Sequence, residues 1–275
     1  MKFSFKNRIL DFNNDIFIMG VINITPDSFS DGGEYNTLDK ALVKVEEMIK
    51  EGATIIDIGG ESTRPFSEAI SEDEEIDRVI PLIEKINRNF ETIISIDTYK
   101  SKVAELAIQN GAEIINDISG FTFDSNMINV AKKYNATSII MHIKGTPKDM
   151  QINPVYHDVV SEIYDFFKER INFCKNNGVE KLILDPGFGF GKSLDHNYIL
   201  LKNLNKFTDF GYPVLVGISR KSMIGKVIDV PPKERVAGTI SLNTIAILNG
   251  AKMVRVHDVK EAYQSIAVIK KYLEI

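Results

Sequence analysis

Asn110-Gly111-Ala112-Glu113-Ile114-Ile115-Asn116-Asp117 holds the pattern that sets the fold. A helical stretch stops, a short apolar run follows, and the run closes on polar side chains. Glycine and asparagine enter the left-handed region at little cost, so helices end on them. The same junction recurs. Glu51-Gly52-Ala53 precedes the run 54–58, Asn177-Gly178-Val179 precedes 180–185, and Asn249-Gly250-Ala251 precedes 252–256. Asn135 and Gly211 hold similar places before 138–141 and 214–216. These runs are short and continuously apolar, as strands of a parallel sheet covered on both faces are.

Working outward, eight strands are predicted at 16–24, 54–58, 92–96, 113–116, 138–142, 181–184, 214–217 and 253–256. Helical stretches alternate with them. Leu38, Ala41, Leu42, Val45, Met48 and Ile49 form one apolar stripe. Ser71 and Glu74 have capping-box spacing and open a helix through Ile86. Further helical patterns cover 103–108, 163–174, 199–204, 239–248 and 262–273. Eight strand-then-helix units predict an α/β fold, a (β/α)8 TIM barrel, over a doubly wound open sheet. Residues 3–12 alternate polar and apolar and predict a small hairpin ahead of the barrel. No linker interrupts the pattern, so 1–275 is expected to be a single barrel domain; the length suits one barrel.

Bulk properties exclude more than they assign. A net charge of −5 argues against a nucleic-acid surface and makes any local cluster of arginines and lysines informative. The single cysteine, Cys174, allows no intrachain disulfide and fits a reducing compartment. There is no apolar run of the roughly 18 residues that a membrane helix needs. The first residues are too polar for a signal peptide, so the cytoplasm is expected, with no membrane contact.

In such a barrel, function gathers at the carboxyl ends of the strands. There lie Asn23 after the first strand and Thr63-Arg64-Pro65 after the second. Asp97 follows the third, Asn116-Asp117 the fourth and His142 the fifth. The run 185–192 follows the sixth, Ser219-Arg220-Lys221-Ser222 the seventh and Arg255-Val256-His257-Asp258 the eighth. A polar cap on one loop is ordinary; eight converging on one mouth suit a small-molecule site. Asp97, Asn116 and Asp185, with Lys221 as a donor, could grip a flat, nitrogen-rich heterocycle. Arg64, Arg255 and His257, with Thr63 and Asn23, suit an anion such as pyrophosphate. Three tempting motifs fail. Gly187-Phe188-Gly189-Phe190-Gly191 is not a dinucleotide fingerprint. Gly191-Lys192-Ser193 lacks the first glycine of a phosphate loop, and Gly217 to Lys221 lacks the second glycine of a nucleophile elbow. His142 and His257 have no metal-ligand spacing, while His157 and His196 look like surface helix residues.

The stretches 20–33 and 57–65 resemble the first two signatures of the dihydropteroate synthases. Residues 116–120, Met141-His142 with Gly145-Thr146-Pro147, 185–192, 219–222 and 255–259 continue the resemblance in order along the chain. It implies condensation of 6-hydroxymethyl-7,8-dihydropterin pyrophosphate with p-aminobenzoate to 7,8-dihydropteroate and pyrophosphate. By position, Asp97, Asn116, Asp185 and Lys221 would hold the pterin, with Asp97, Asp185 and Lys221 as the catalytic groups. Asn23, Thr63, Arg64, Arg255 and His257 would hold the pyrophosphate, with Mg²⁺ at Asn23. Phe29, Pro65, Phe190, Arg220 and Ser222 would shape the p-aminobenzoate pocket. The resemblance also implies a sulfonamide target and a homodimer. Two positions depart from it: Phe66 follows Pro65 where a small residue, often glycine, is usual, and Lys144 stands for an arginine. Two alternatives share the pterin grip. A methyltransferase serving a corrinoid would not need Thr63-Arg64-Pro65 or the 219–222 run. A non-catalytic barrel would have no need to keep Asp97, Asp185, Lys221 and Arg255 together.

Overall fold

The structure, a computed structural model, describes residues 1–24 and 34–274, with residues 34–37 as backbone only. β1 (Lys2–Ser4) and β2 (Ile9–Asp11) form the expected antiparallel hairpin, Phe3 opposite Leu10. Eight parallel strands follow: β3 (Phe17–Asn23), β4 (Ile55–Gly59), β5 (Ile93–Asp97), β6 (Ile114–Asp117), β7 (Thr137–Met141), β8 (Leu182–Asp185), β9 (Leu215–Val216) and β10 (Met253–Val256). Their order is β8-β7-β6-β5-β4-β3-β10-β9, and a parallel bridge from Leu184 to Val214 joins the two ends. The sheet is therefore a closed barrel, as expected, ringed by helices.

Those helices are α1 (Glu34–Lys50), α2 (Glu72–Asn89), α3 (Ser101–Gln109), α4 (Met127–Tyr134), α5 (Val159–Asn176), α6 (Leu194–Lys202), α7 (Ser222–Ile228), α8 (Val236–Leu248) and α9 (Val259–Leu273). The junction residues take the conformation their types imply: φ is +109° at Gly52, +119° at Gly111, +80° at Gly178, +99° at Gly250, +49° at Asn135 and +74° at Gly211. α4 and α7 have no counterpart among the predicted helices; each is about two turns long, too short for a periodic stripe to stand out. Ser71 caps α2 by accepting the Glu74 N–H at 3.2 Å, but the Glu74 carboxylate turns to Arg78, so only half of the capping box forms. His157 is exposed in the segment before α5 rather than helical, and His196 is half-buried in the first turn of α6.

Side chains alternate across a strand, and the two cores divide on that period. Ile18, Ile22, Ile56, Ile58, Ile94 and Ile96 point outward and pack under the helices. One residue per strand points inward to form an apolar ring: Met19, Ile55, Ile93, Ile114, Ile139, Ile183, Leu215 and Met253. The hairpin closes this ring from below with Phe3, Leu10 and Phe12. The Phe12 ring meets Phe3 edge-on at 5.3 Å and Phe17 at 5.0 Å. Two residues further along each strand, the inward set becomes Val21, Asp57, Ser95, Asn116, Met141, Asp185, Gly217 and Arg255. The barrel thus changes from an oily plug to a polar cup within one step of the pleat, and the cup opens at the carboxyl ends.

Candidate active site

Charge is concentrated at one wall of the cup. The Arg255 guanidinium donates from Nε to Asp57 Oδ2 and from an Nη to Asp97 Oδ2, both at 2.6 Å. Asn116 Nδ2 donates to the same Asp57 oxygen at 3.1 Å. One arginine therefore holds two carboxylates from neighbouring strands in a fixed fork. Their other oxygens, Asp57 Oδ1 and Asp97 Oδ1, are buried without a partner, and so is the Ser95 hydroxyl, level with Asp57 and two residues before Asp97 on β5. Buried acceptors without donors are costly unless a ligand supplies the donors. Burial pushes the Asp97 carboxyl up to about 7, with Arg255 opposing and Asp57 reinforcing the shift.

The opposite wall is built by the chain after β8. Asp185 Oδ1 accepts the Gly187 N–H at 2.8 Å, and burial raises its carboxyl above the usual range against the pull of Lys221. Lys221 sits at the start of α7; its ammonium donates to the Phe188 carbonyl and lies 4.4 Å over the Phe190 ring. Burial brings Lys221 down to about 8, opposed by Asp185. Gly217 lies on the floor between Asp185 and Arg255; a Cβ there would be in ordinary contact, 3.9 Å from both Asp185 Oδ2 and the Arg255 Cβ.

The rim is cationic. Ser219 Oγ accepts the His257 backbone N–H at 3.2 Å and lies 3.0 Å from His257 Nδ1. The serine proton is thus free to go to Nδ1, which leaves the ring proton on Nε2. Burial, then Arg255 and Arg220, with Arg64 also contributing, lower His257 to about 4, so it is a neutral donor at pH 7. Arg220, in a left-handed conformation at φ +58°, gives its fork to Asp258, from Nε at 2.9 Å and also from an Nη. Arg64 is exposed and Thr63 half-buried in the loop after β4. That loop is pinned from below: Glu61 accepts from Lys100 at 2.6 Å and from the Tyr99 hydroxyl at 2.7 Å. It is pinned from the side as well, by the Phe66 N–H on the Pro147 carbonyl at 2.9 Å. Asn23 ends β3; a Cβ on Gly59 would lie 3.2 Å from its Oδ1 and 3.7 Å from Asp97 Oδ2, so bare Gly59 leaves the two facing each other.

The structure thus brings Asp97, Asn116, Asp185, Lys221 and Arg255 into one cup and sets Asn23, Thr63, Arg64, Phe190, Arg220 and His257 around it. Ser222 is exposed on the first turn of α7. Phe29 and the rest of 25–33 lie outside the described residues. Arg255, grouped above with the anion-binding residues, has two of its nitrogens committed to the acceptor wall. Asp57 and Ser95 are inward residues that the reading of strand ends passed over; their positions two before Gly59 and Asp97 were the available signal. Asp117, next to Asn116, points away and holds the following turn through Ser119 and Phe121.

The sequence pattern of the pterin binding enzymes matches residues 19–257. The dihydropteroate synthase of Haemophilus influenzae is 49% identical over 261 residues, covering 94% of each chain. The chain belongs to the dihydropteroate synthase family. A Yersinia pestis dihydropteroate synthase in complex with a sulfonamide drug superposes with a TM-score of 0.94 at 43% identity, covering 100% of both chains. The Xanthomonas albilineans dihydropteroate synthase in complex with 7,8-dihydropteroate superposes with a TM-score of 0.91 at 35% identity, again over 100% of both chains. Membership makes the chain an enzyme of the transferase class. Among the described residues no helix is long and apolar enough to cross a membrane.

Proposed function

We propose that this enzyme joins 6-hydroxymethyl-7,8-dihydropterin pyrophosphate to p-aminobenzoate, releasing 7,8-dihydropteroate and pyrophosphate. The observation that carries this is the unsatisfied acceptor wall, Asp57 Oδ1, Ser95 Oγ and Asp97 Oδ1, lying beside a cationic rim. A pterin edge supplies the missing N–H donors, and the pyrophosphate meets His257 Nε2–H, Arg64 and Thr63. Asn116, Asp185 and Lys221 complete the pterin grip, while Phe190, Pro65, Arg220 and Ser222 border the aminobenzoate. The product complex of the Xanthomonas relative supports the assignment of the substrates.

The step breaks the bond from the pterin methylene carbon to the pyrophosphate oxygen and forms one to the aniline nitrogen, which then loses its proton to water. As the old bond breaks, the methylene fragment becomes cationic. Asp97, held by Arg255, and Asp185, which feels the charge of Lys221, stabilise it electrostatically, and the pocket supplies orientation. Cys174, buried in α5 with its thiol pushed up to about 12, is no nucleophile.

Magnesium fits as a companion of the pyrophosphate. Mg²⁺ takes few protein ligands and completes its shell with phosphate oxygens and water. The Asn23 amide oxygen, at a strand end facing Asp97, is suited to be that ligand; the ion would neutralise charge on the leaving group. We further propose a homodimer in the cytoplasm. α8 carries no charged residue and leaves Ile245 and Leu248 exposed; it meets α9 at Thr244 and Ser265, and α9 leaves Val268 and Tyr272 exposed. Purified protein, both substrates and Mg²⁺ should yield dihydropteroate by chromatography. Tight binding of both substrates without product would refute the assignment.

A further inference from the structure

Lys192 is a buried cation with no role in the chemistry above. It is 2% exposed, and its four partners are all uncharged: the Gly187 carbonyl at 2.8 Å, the Phe190 carbonyl at 3.0 Å, the His142 carbonyl at 3.3 Å and His142 Nδ1 at 3.0 Å. The three carbonyls can only accept, and an ammonium has an N–H for each where a neutral amine has two; an unprotonated His142 Nδ1 shares one of these three. Burial holds that ammonium well below the ordinary lysine range, partly offset by Asp185. Burial and the charge on Lys192 keep His142 neutral.

The backbone is shaped for this contact. Gly187, Gly189 and Gly191 have φ of +71°, +80° and +64°, a conformation that side chains resist. A Cβ on Gly187 would lie 2.0 Å from the His142 carbonyl, and one on Gly191 2.3 Å from the Lys144 carbonyl. The alternate glycines thus let the loop curl flat against the end of β7. Three of its carbonyls go to two lysines: Gly187 and Phe190 face Lys192 inside, and Phe188 faces Lys221 at the mouth; the Gly189 and Gly191 carbonyls accept from Gln151 and the Tyr156 hydroxyl.

We propose that Lys192 is a positioning residue, an internal cation around which the loop 186–192 is wound, and that through this loop it places Lys221 and Phe190 against the substrate. The idea rests on the pterin assignment of the cup but is tested separately from turnover. The lysine acts as a tethered monovalent cation, so a free one should replace it. Lys192→Gly is expected to lose at least tenfold in pterin affinity by calorimetry and in kcat/KM. Ammonium or methylammonium chloride should recover most of both, and tetramethylammonium, too large for the nest, neither. Lys192→Met should show the same loss without rescue. Wild-type affinity in both variants would overturn the proposal, as would a loss that no small cation restores. If neither variant folds, ¹⁵N NMR of Lys192 Nζ in the wild type decides: a protected ammonium at pH 7 supports the internal cation, and a neutral amine overturns it. Because affinity is read without the second substrate, a wild type that binds pterin but makes no product would contradict the reaction assignment and leave this result standing.

Discussion

Arg255→Met tests whether the acceptor wall is held by charge. The change keeps most of the side-chain volume and removes two charge-assisted hydrogen bonds, to Asp57 and Asp97 at 2.6 Å each. It leaves two buried carboxylates without their cation. Breaking a buried pair from one side costs about 3–5 kcal/mol. With an unfolding entropy of roughly 0.6 kcal/mol/K for a chain of this length, that is a fall in Tm of about 5–9 °C. The pH dependence is the sharper test. In the wild type, Asp97 is raised to about 7. A raised carboxyl binds its proton more tightly when folded than unfolded. Stability therefore drains away from the unfolded value near 4 up to the folded value near 7, and then levels off. Without Arg255, the first opposing influence on Asp97 is gone and its folded value moves higher still. The variant should then go on losing about 1.4 kcal/mol per pH unit above pH 7, where the wild type has stopped. Melting curves by calorimetry at pH 6, 7, 8 and 9 should show the gap in Tm widening by about 2 °C per unit. A gap that is constant or narrows with pH would refute the reasoning.

Three further outcomes follow from the same geometry. Lys221, lowered to about 8, is charged below that pH and loses its proton above it. The rate profile should accordingly fall through about pH 8 in the wild type, and Lys221→Ala should remove that limb while lowering kcat/KM at pH 7 by about 100-fold. Phe66 is 66% exposed at φ +66°, a conformation that costs a bulky residue roughly 1–2 kcal/mol. Phe66→Gly should therefore leave stability unchanged or raise it by about 1 kcal/mol, where an ordinary glycine substitution lowers it. Phe12→Ala opens the plug beneath the apolar ring; it should cost about 3–5 kcal/mol in urea unfolding yet leave KM for both substrates within about twofold, because the ring of Met19, Ile55 and Ile93 separates it from the cup.

The barrel was legible in the sequence because its repeat is local: a helix ending on glycine or asparagine, then a short apolar run. The cup was legible only where it reached the strand ends. Asp57 and Ser95 lie inside runs such as Ile55-Ile56-Asp57-Ile58, where both faces of the strand are buried and period two leaves no trace in hydrophobicity. Once the apolar ring is known the inward parity is fixed, and Asp57 falls on it with Arg255 and Asp185. The loop after β8 resisted for another reason. Its glycines matched no familiar spacing, since they serve backbone shape around Lys192 and not a phosphate. Phe66 stood out by residue type, and its positive φ supplies the cause: the position suits glycine whatever occupies it. The parity of the cup also bears on the chemistry. Three inward carboxylates, Asp57, Asp97 and Asp185, face two inward cations, Arg255 and Lys221. Fully ionised, the wall carries one surplus negative charge, while the rim around His257 is positive. A substrate that separates into a cationic pterin fragment and an anionic pyrophosphate finds each half matched as it forms. That match appears only as the bond breaks, which is where stabilisation accelerates a reaction.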